Sequence, residues 1–475
     1  MNKNLRKITN TPGKDLPGSS MANGHEQTTS NSRGARLPRA VMAGGLITCM
    51  GVTGLFGLAA APAHAAESLP VENNIYSIDA DGQIVRFDIG TGAVSNVVRV
   101  DGYPHEAYST NGLAMSEDGT KIMSFSRLND SANTVTSIDI YDVTTETWSK
   151  VNNFQPTVFA DAGIDGAYDS ATGIYYFGSR SEMRAFDTKT MTLLPGTQTL
   201  NGLPTEGATN GDSALDGLGN MFTVRADTVF VADISNVDWN ANGTINYVVA
   251  GTSTGNNAGI AFNQTDGYLY TGHTSSAQPS ATTLSKVDPT TGQIAGSFTI
   301  PNHMSTDLTS GNSPSSVYVV KNLSSRYAPD DQFQLDLEII SKDGSTVENS
   351  GSVITEGSDT GRVAGSSPLL ALPEKIVRVK ETAVTGDILN YRTSYQCVDL
   401  KTQALVVEGE GTELQFDFPL SQDRRGTSIE CVVTNSAITD PPVDPDANVN
   451  ASASAAANAQ PDASAAAQAA ASPDA

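Results

Sequence analysis

The sequence has few cysteines, few histidines and few basic side chains. Its 475 residues include three Cys and five His, and the CxxC and HxxxH spacings typical of zinc ligands do not occur. An HExxH motif and a glycine-rich phosphate loop are also missing. These absences favour a protein that is not an enzyme. They do not identify any cofactor.

Acidic residues outnumber basic ones along most of the chain. Lys and Arg total 28 against 52 Asp and Glu, which gives a formal charge of −24. Seven basic residues and two acidic ones precede residue 66, so the remainder carries −29. Such a surface repels phosphate backbones, which argues against nucleic acid as a partner, and it suits divalent cations.

The N-terminal region has the layout of a secretory signal peptide. A long, basic and polar n-region over residues 1–40 precedes an apolar run over residues 41–61 and the small-residue sequence Ala63-His64-Ala65. This layout predicts cleavage between Ala65 and Ala66, with an uncleaved signal anchor as the alternative. No later apolar stretch is long enough to span a membrane. We therefore expect an extracellular protein, either secreted or associated with the cell wall.

Residues 70–310 contain a repeat of short strands and turns. A hydrophobic residue, an Asp and a turn recur every 45–55 residues, and small-residue strands containing Ala lie between the copies. The Asp residues are Asp88, Asp142, Asp187, Asp233 and Asp288, and the Ala residues are Ala114, Ala167, Ala214 and Ala261. This order of strands is that of a β-propeller blade, and it predicts five blades, or six. Residues 306–310 are expected to complete the first blade, whereas a β-sandwich or a solenoid is the alternative fold.

The repeat resembles the propeller domains of unknown function found in secreted actinobacterial proteins. The resemblance covers residues 66–312. It implies an all-β head that binds an extracellular protein or a glycan at a face lined by loops.

Residues 317–436 have a different character. They contain Lys321 on a first strand, the run Val377-Arg378-Val379-Lys380-Glu381, the strand Tyr395-Gln396-Cys397 and a closing Cys431-Val432-Val433-Thr434-Asn435. These features resemble the prealbumin-like β-sandwich modules of the Cna-B or SpaA type in Gram-positive surface proteins. The resemblance implies a spacer. Independently, an even pair of cysteines in an exported chain predicts a Cys397–Cys431 disulfide.

The same resemblance implies an isopeptide bond between Lys321 and Asn435, promoted by Glu381. In the family, a Lys of the first strand, an Asn of the last strand and an acidic residue of a central strand meet in the core. Burial would lower the pKa of the Lys and supply a neutral amine as nucleophile. A solvated Lys321 and a turn role for Asn435 are the alternative.

Two sets of oxygen-bearing side chains are candidates for a cation site. Asp165, Asp212 and Asp307 hold equivalent places on the small-residue strands, and converging carboxylates would need a cation or protonation; a solvent-facing position is the alternative. The second set, Asp238, Asn240 and Asn242, matches the start of a calcium loop. Asn242-Gly243 equally fits a two-residue hairpin turn. Calcium is thus the candidate ion.

Two functions are compatible with these predictions. The first is an exported, non-enzymatic binding or scaffold protein with a propeller head, a sandwich spacer and a disordered tail over residues 437–475. The alternative is a secreted hydrolase or lyase of the propeller type with a metal in its central channel.

Overall fold

The structure is a computed structural model that describes residues 68–100, 108–128, 134–153, 157, 159, 163–204, 211–255, 259–263, 265–275, 280–311, 313–420 and 426–438. The predicted signal peptide with its cleavage point, and the predicted tail from residue 439 onward, lie outside the described residues. Within the described residues, strands form almost all of the regular structure, and the helical element is one 3-10 turn, Ile388–Asn390. The all-β prediction is therefore confirmed.

The first part, residues 68–311, is here called the head. Its strands are rich in Val, Ile, Phe, Tyr and Thr, which suit a pleated and half-buried surface. In chain order they are β1 (Asn74–Asp79), β2 (Gln83–Asp88), β3 (Val94–Arg99), β4 (Tyr108–Met115), β5 (Lys121–Leu128), β6 (Val135–Asp142), β7 (Thr147–Val151), β8 (Gly163–Asp169), β9 (Ile174–Ser179), β10 (Glu182–Asp187), β11 (Thr192–Leu193), β12 (Gln198–Asn201), β13 (Gly211–Leu215), β14 (Asn220–Arg225), β15 (Thr228–Asp233), β16 (Gly243–Asn246), β17 (Val248–Thr252), β18 (Ile260–Phe262), β19 (Leu269–Ser275), β20 (Ala281–Val287), β21 (Ile294–Pro301) and β22 (Ser305–Thr309).

The second part, residues 313–438, is here called the module. Its strands are β23 (Ser316–Leu323), β24 (Gln332–Ile340), β25 (Val347–Ile354), β26 (Gly361–Gly365), β27 (Leu369–Leu370), β28 (Ile376–Thr385), β29 (Tyr391–Asp399), β30 (Ala404–Glu410), β31 (Glu413–Asp417) and β32 (Ser428–Ala437).

The described residues of the head form five sheets. Four of them have the strand orders β22-β1-β2-β3, β4-β5-β6-β7, β13-β14-β15-β17 and β18-β19-β20-β21, and the remaining one runs β8-β9-β10-β12-β16 with β11 beside β10. The first sheet takes β22 from the far end of the head, with Tyr76 opposite Thr309 and Ser77 opposite Leu308. The predicted pairing of this segment with the first strand is thus confirmed.

The first strand of each sheet contacts the first strands of two other sheets. These contacts follow the cyclic order β22, β4, β8, β13, β18 and back to β22. A Cβ atom on Gly166 would lie 2.2 Å from the carbonyl oxygen of Gly112, and one on Gly259 would lie 2.3 Å from the amide nitrogen of Leu308. The close approach of neighbouring strands therefore requires small residues at these positions.

The recurrent Asp residues close turns, as predicted. Each accepts a bond from a backbone N–H two or three residues later, for example Asp88 from Thr91 at 2.9 Å and Asp288 from Thr290 at 2.9 Å. The predicted hairpin at Asn242-Gly243 is wrong. Gly243 begins β16, which pairs in parallel with β12, so the chain does not fold back on the strand before it.

The module, as far as its residues are described, has two sheets. One has the order β26-β23-β32-β29-β30 with β27 beside β23, and the other has the order β25-β24-β28-β31. Apolar residues at alternate positions, such as Val317 and Val319 on β23 and Leu335 and Leu337 on β24, fill the core of the module. Cys397 and Cys431 lie opposite each other on β29 and β32 and are joined by a disulfide, which confirms that prediction.

The module is packed against the head. The Lys375 ammonium lies 2.8 Å from a carboxylate oxygen of Asp288 in the head and 2.7 Å from one of Glu348 in the module. The Asn349 amide donates a hydrogen bond to the Ala250 carbonyl at 2.9 Å, and Leu370 belongs to an apolar cluster of the head. The two parts therefore share both apolar and charged contacts.

Candidate functional site

Lys321 is buried inside the module. On β23 it follows the alternation that also turns Val319 and Leu323 inward, so its side chain enters the core, and it is 0 % exposed. Its Nζ lies 5.1 Å from the centre of the Phe333 ring. A solvated Lys321 is therefore wrong, and an isolated ammonium at this position would carry a large desolvation cost.

Glu381 and Asn435 meet Lys321 in the core. Glu381 lies on β28 of the facing sheet, and its Oε1 is 2.6 Å from Lys321 Nζ, although the ammonium makes no well-aligned hydrogen bond. Asn435 lies on β32, the strand beside β23, and its Nδ2 donates to the same Oε1 at 2.9 Å. The structure thus brings together all three residues of the predicted bond, and one carboxylate oxygen contacts both nitrogens.

A fourth polar side chain completes this cluster. Thr393 on β29 is paired with Asn435 in the strand register. Its Oγ1 donates to Asn435 Oδ1 at 2.9 Å and lies 3.2 Å from Glu381 Oε2. No local sequence signal predicts this residue, because threonine is common in strands and its partner depends on the register.

The surroundings change the protonation of Lys321. Burial lowers the pKa of the Lys321 ammonium to about 8, and the neighbouring Glu381 carboxylate opposes part of that shift. At pH 7 the Lys321 side chain is then a neutral amine in roughly a tenth of the molecules. The core therefore contains a nucleophilic nitrogen, a carboxyl group that can carry protons, and an amide carbon.

The carboxyl groups of Asp165, Asp212 and Asp307 lie in the interior of the head. All three are fully buried, so the solvent-facing alternative is wrong. Asp165 forms an ion pair with the guanidinium of Arg225, with an Nη1–Oδ1 distance of 3.0 Å. Asp212 accepts a hydrogen bond from the Ile260 amide at 3.0 Å, and Asp307 accepts one from the Leu113 amide at 2.8 Å.

Two effects relieve the repulsion among these carboxylates, an ion pair and a raised pKa. Arg225 neutralises Asp165. Burial raises the pKa of Asp307 to about 8, and burial together with the charge of Asp307 raises the pKa of Asp212 well above its usual value. In the part of the chain that the structure describes, no group of three His, Cys, Asp or Glu residues is arranged to hold a metal ion.

The second predicted cation loop forms a turn. Asp238 Oδ1 accepts a hydrogen bond from the Asn240 amide at 2.9 Å, and Asn242 Oδ1 accepts one from the Thr197 amide at 3.0 Å. These bonds give Asp238 and Asn242 a role in holding the turn against β12. Calcium binding by this loop stays a prediction.

A Ser–His–Asp arrangement that the sequence did not reveal lies in the head. Ser77 Oγ is 2.9 Å from His303 Nε2, and His303 Nδ1 is 3.6 Å from a carboxylate oxygen of Asp79, which is too long for a hydrogen bond. Burial lowers the pKa of His303 to about 4. Because Ser77 is fully buried, its hydroxyl is closed to a substrate and instead bonds Ser305 Oγ at 2.8 Å.

Residues 251–255 read Gly-Thr-Ser-Thr-Gly, which is the GxSxG spacing of many serine hydrolases. In those enzymes the serine stands on a sharp turn from a strand into a helix. Here Ser253 follows β17, the next strand that the structure describes is β18, and Ser253 is 6 % exposed. This serine lacks the context of a nucleophile.

Comparison with known proteins identifies the module. A SpaA-type family model, described as a prealbumin-like fold domain, matches residues 316–437. No curated protein matches the chain. Among the described residues, no helix is both long enough and apolar enough to cross a bilayer. The module thus has a prealbumin-like fold, in agreement with its two packed sheets.

Proposed function

We propose that this chain is an exported, non-enzymatic surface or scaffold protein. The module would act as a spacer locked by an isopeptide bond between Lys321 and Asn435, and the head would act as its binding part. The observation that carries the proposal is the contact of one Glu381 oxygen with both Lys321 Nζ and Asn435 Nδ2 inside the module.

The chemistry of the bond follows from these contacts. Glu381 takes a proton from the Lys321 ammonium, and the neutral amine adds to Cγ of Asn435. The Cγ–Nδ2 bond then breaks, and ammonia leaves. Of the three ammonium protons, one stays on the new amide, one leaves with Nδ2, and one remains on Glu381.

A bond at this place suits a spacer. It would join β23, the first strand of the module, to β32, the last, and these strands are hydrogen-bonded neighbours in parallel register. A force that pulls on the two ends of the module would then act on this covalent bond before the force could separate β23 from β32. SpaA-type modules are typical of surface and scaffold proteins, which supports an extracellular role.

For the head we propose a five-bladed β-propeller. The cyclic contacts among the five first strands and the pairing of β22 with β1 support this fold. Propellers bind ligands on faces formed by loops between strands. The proposed ligand is an extracellular protein or a glycan, as the fold analogy suggests.

Intact mass spectrometry of the secreted full chain tests the bond. We expect a mass that is lower by one ammonia, in addition to the two hydrogens lost to the disulfide, and a mature N-terminus at Ala66. A Glu381→Ala variant should regain the mass of the ammonia. The matched control is Lys375→Ala, which removes a lysine that also contacts two carboxylates but should keep the loss of ammonia. A wild-type mass explained by the disulfide alone would contradict the proposal.

A further inference from the structure

The amide of Asn435 is held in one orientation. A carboxylate oxygen accepts hydrogen bonds and donates none, so the group facing Glu381 Oε1 is the Nδ2 amine of Asn435, at 2.9 Å. The carbonyl oxygen Oδ1 therefore points to the other side, where the Thr393 hydroxyl donates to it at 2.9 Å. The two ends of the amide have separate and chemically matched partners.

The Thr393 hydroxyl oxygen is held near Asn435 Oδ1, at 2.9 Å, and near Glu381 Oε2, at 3.2 Å, before any reaction. Thr393 is 7 % exposed, and its strand register sets it directly opposite Asn435. Four residues further along the same two strands, the Cys397–Cys431 disulfide ties β29 to β32. A hydrogen-bond donor held this way in a buried site stabilises charge more strongly than a mobile or solvated one.

We propose that Thr393 is a catalytic residue of the bond-forming reaction. When Lys321 Nζ adds to Cγ, negative charge develops on Asn435 Oδ1, and the Thr393 hydroxyl donates a hydrogen bond to that oxygen. The hydroxyl keeps its own proton, so the proton balance among Lys321, Glu381 and the departing ammonia is unchanged. This assignment rests on the proposed isopeptide bond and adds a donor on the reacting oxygen.

The test compares full-length chains made by cell-free synthesis and sampled for intact mass over time. Thr393→Val keeps the shape of the side chain and removes the hydroxyl, and we expect it to slow the loss of ammonia about a hundredfold, as for other donors of this kind. Thr393→Ser keeps the hydroxyl and should react at nearly the wild-type rate. Thr434→Val, on the neighbouring position of β32 with its side chain outside the cluster, is the matched control and should not change the rate.

Folding is monitored separately in the presence of a disulfide oxidant, by the loss of two of the three free thiols of the full-length chain as Cys397 and Cys431 pair. Equal disulfide formation in all variants shows that Thr393→Val folds. The proposal for Thr393 is overturned if Thr393→Val reacts at the wild-type rate, or if Thr393→Ser is as slow as Thr393→Val. A wild-type chain that never loses ammonia contradicts the isopeptide bond itself, so the two failures are distinguishable.

Discussion

Burial acts on three ionisable side chains of this molecule in three different ways. The pKa of Lys321 is lowered, so that a minority of the side chain is a neutral amine at pH 7; the pKa of Asp307 is raised, which favours the protonated carboxyl; and Asp165 is paired with Arg225. Each solution answers the same physical requirement, since a lone charge in an apolar interior is very unfavourable. Only the solution at Lys321 creates a reactive group, because a neutral amine is a nucleophile.

The raised pKa of Asp307 predicts how the stability of the head depends on pH. In the folded state the pKa of Asp307 is raised from 3.8 to about 8, and the pKa of its neighbour Asp212 is raised as well. Between those values the folded state binds more protons than the unfolded state, so the free energy of unfolding falls as the pH rises from about 4 to 8. Thermal unfolding of the full chain from pH 5 to pH 8 should show a falling midpoint.

An Asp307→Asn variant should reduce that dependence, because its amide does not titrate. Asp81→Asn is the control, since the Asp81 side chain is 62 % exposed, and this variant should retain the wild-type slope. Equal slopes for wild type and Asp307→Asn would contradict the assignment of the proton to this carboxyl.

Strands β29 and β32 are hydrogen-bonded neighbours in the module. They carry the two cysteines and the pair Thr393 and Asn435, and β32 also borders β23 with Lys321. The disulfide and the proposed isopeptide bond therefore both fix the position of the last strand, one against β29 and the other against β23.

The contribution of the disulfide is predicted from the loop that it closes. The two cysteines are separated by 34 residues, and the chain-entropy model gives a stabilisation of about 3–4 kcal/mol for a loop of this size. A double Cys397→Ala, Cys431→Ala variant should lower the free energy of unfolding of the module by this amount in urea titrations. A reducing agent should destabilise the wild type and leave the double variant unchanged. Identical wild-type curves with and without the reducing agent would contradict the prediction.

The sequence predicts those elements that depend on local patterns. The Asp turns and the small-residue strands recur every 45–55 residues, and the closing strand β22 corresponds to the segment that was predicted to complete the first blade. The pairing of β16 with β12 was not predicted, because Asn242-Gly243 is a strong local hairpin signal and the parallel partner of Gly243 is Gln198, on a strand much earlier in the chain. Contacts between distant segments decided this pairing.

The residues of the candidate site also fall into those that were predicted and those that were not. Lys321, Glu381 and Asn435 were predicted from a family resemblance. Thr393, Arg225 and Lys375 were not, since each acts on a residue that lies far away in the sequence and is brought near only by the packing of sheets. Arg225, for example, neutralises a carboxylate 60 residues before it.

At the scale of the whole molecule, the head should unfold as one unit. Leu308 on β22 is 1 % exposed and packs in a cluster with Ile75 of the first sheet and Tyr270 of the last. Leu308→Ala should lower the free energy of unfolding of the head by about 2–5 kcal/mol. In a closed ring, this substitution should lower the unfolding midpoint of every sheet.

The two tryptophans report on parts of the head other than the sheet that holds Leu308. Trp148 lies on β7 and packs on Tyr141, and Trp239 packs on Tyr176. Trp148→Phe and Trp239→Phe each leave a chain with one tryptophan. When Leu308→Ala is added to each of these chains, the midpoint of unfolding followed by fluorescence should fall by the same amount in both. The control Val94→Ala changes a side chain that is 39 % exposed and should leave both midpoints in place. Separate midpoints for the two tryptophans would indicate a solenoid.

The pairing of β22 with β1 also has a consequence for the chain while it is being made. Synthesis runs from the N-terminus. Strand β1 therefore remains an uncovered edge of the first sheet until residues 305–309 have been synthesised, after all the other strands of the head. An open strand edge is a template for pairing with another chain. A product that stops before residue 305 would therefore keep its edge open and would be expected to recruit the closing strand of a complete neighbour. Premature termination would then damage intact copies as well as the truncated one.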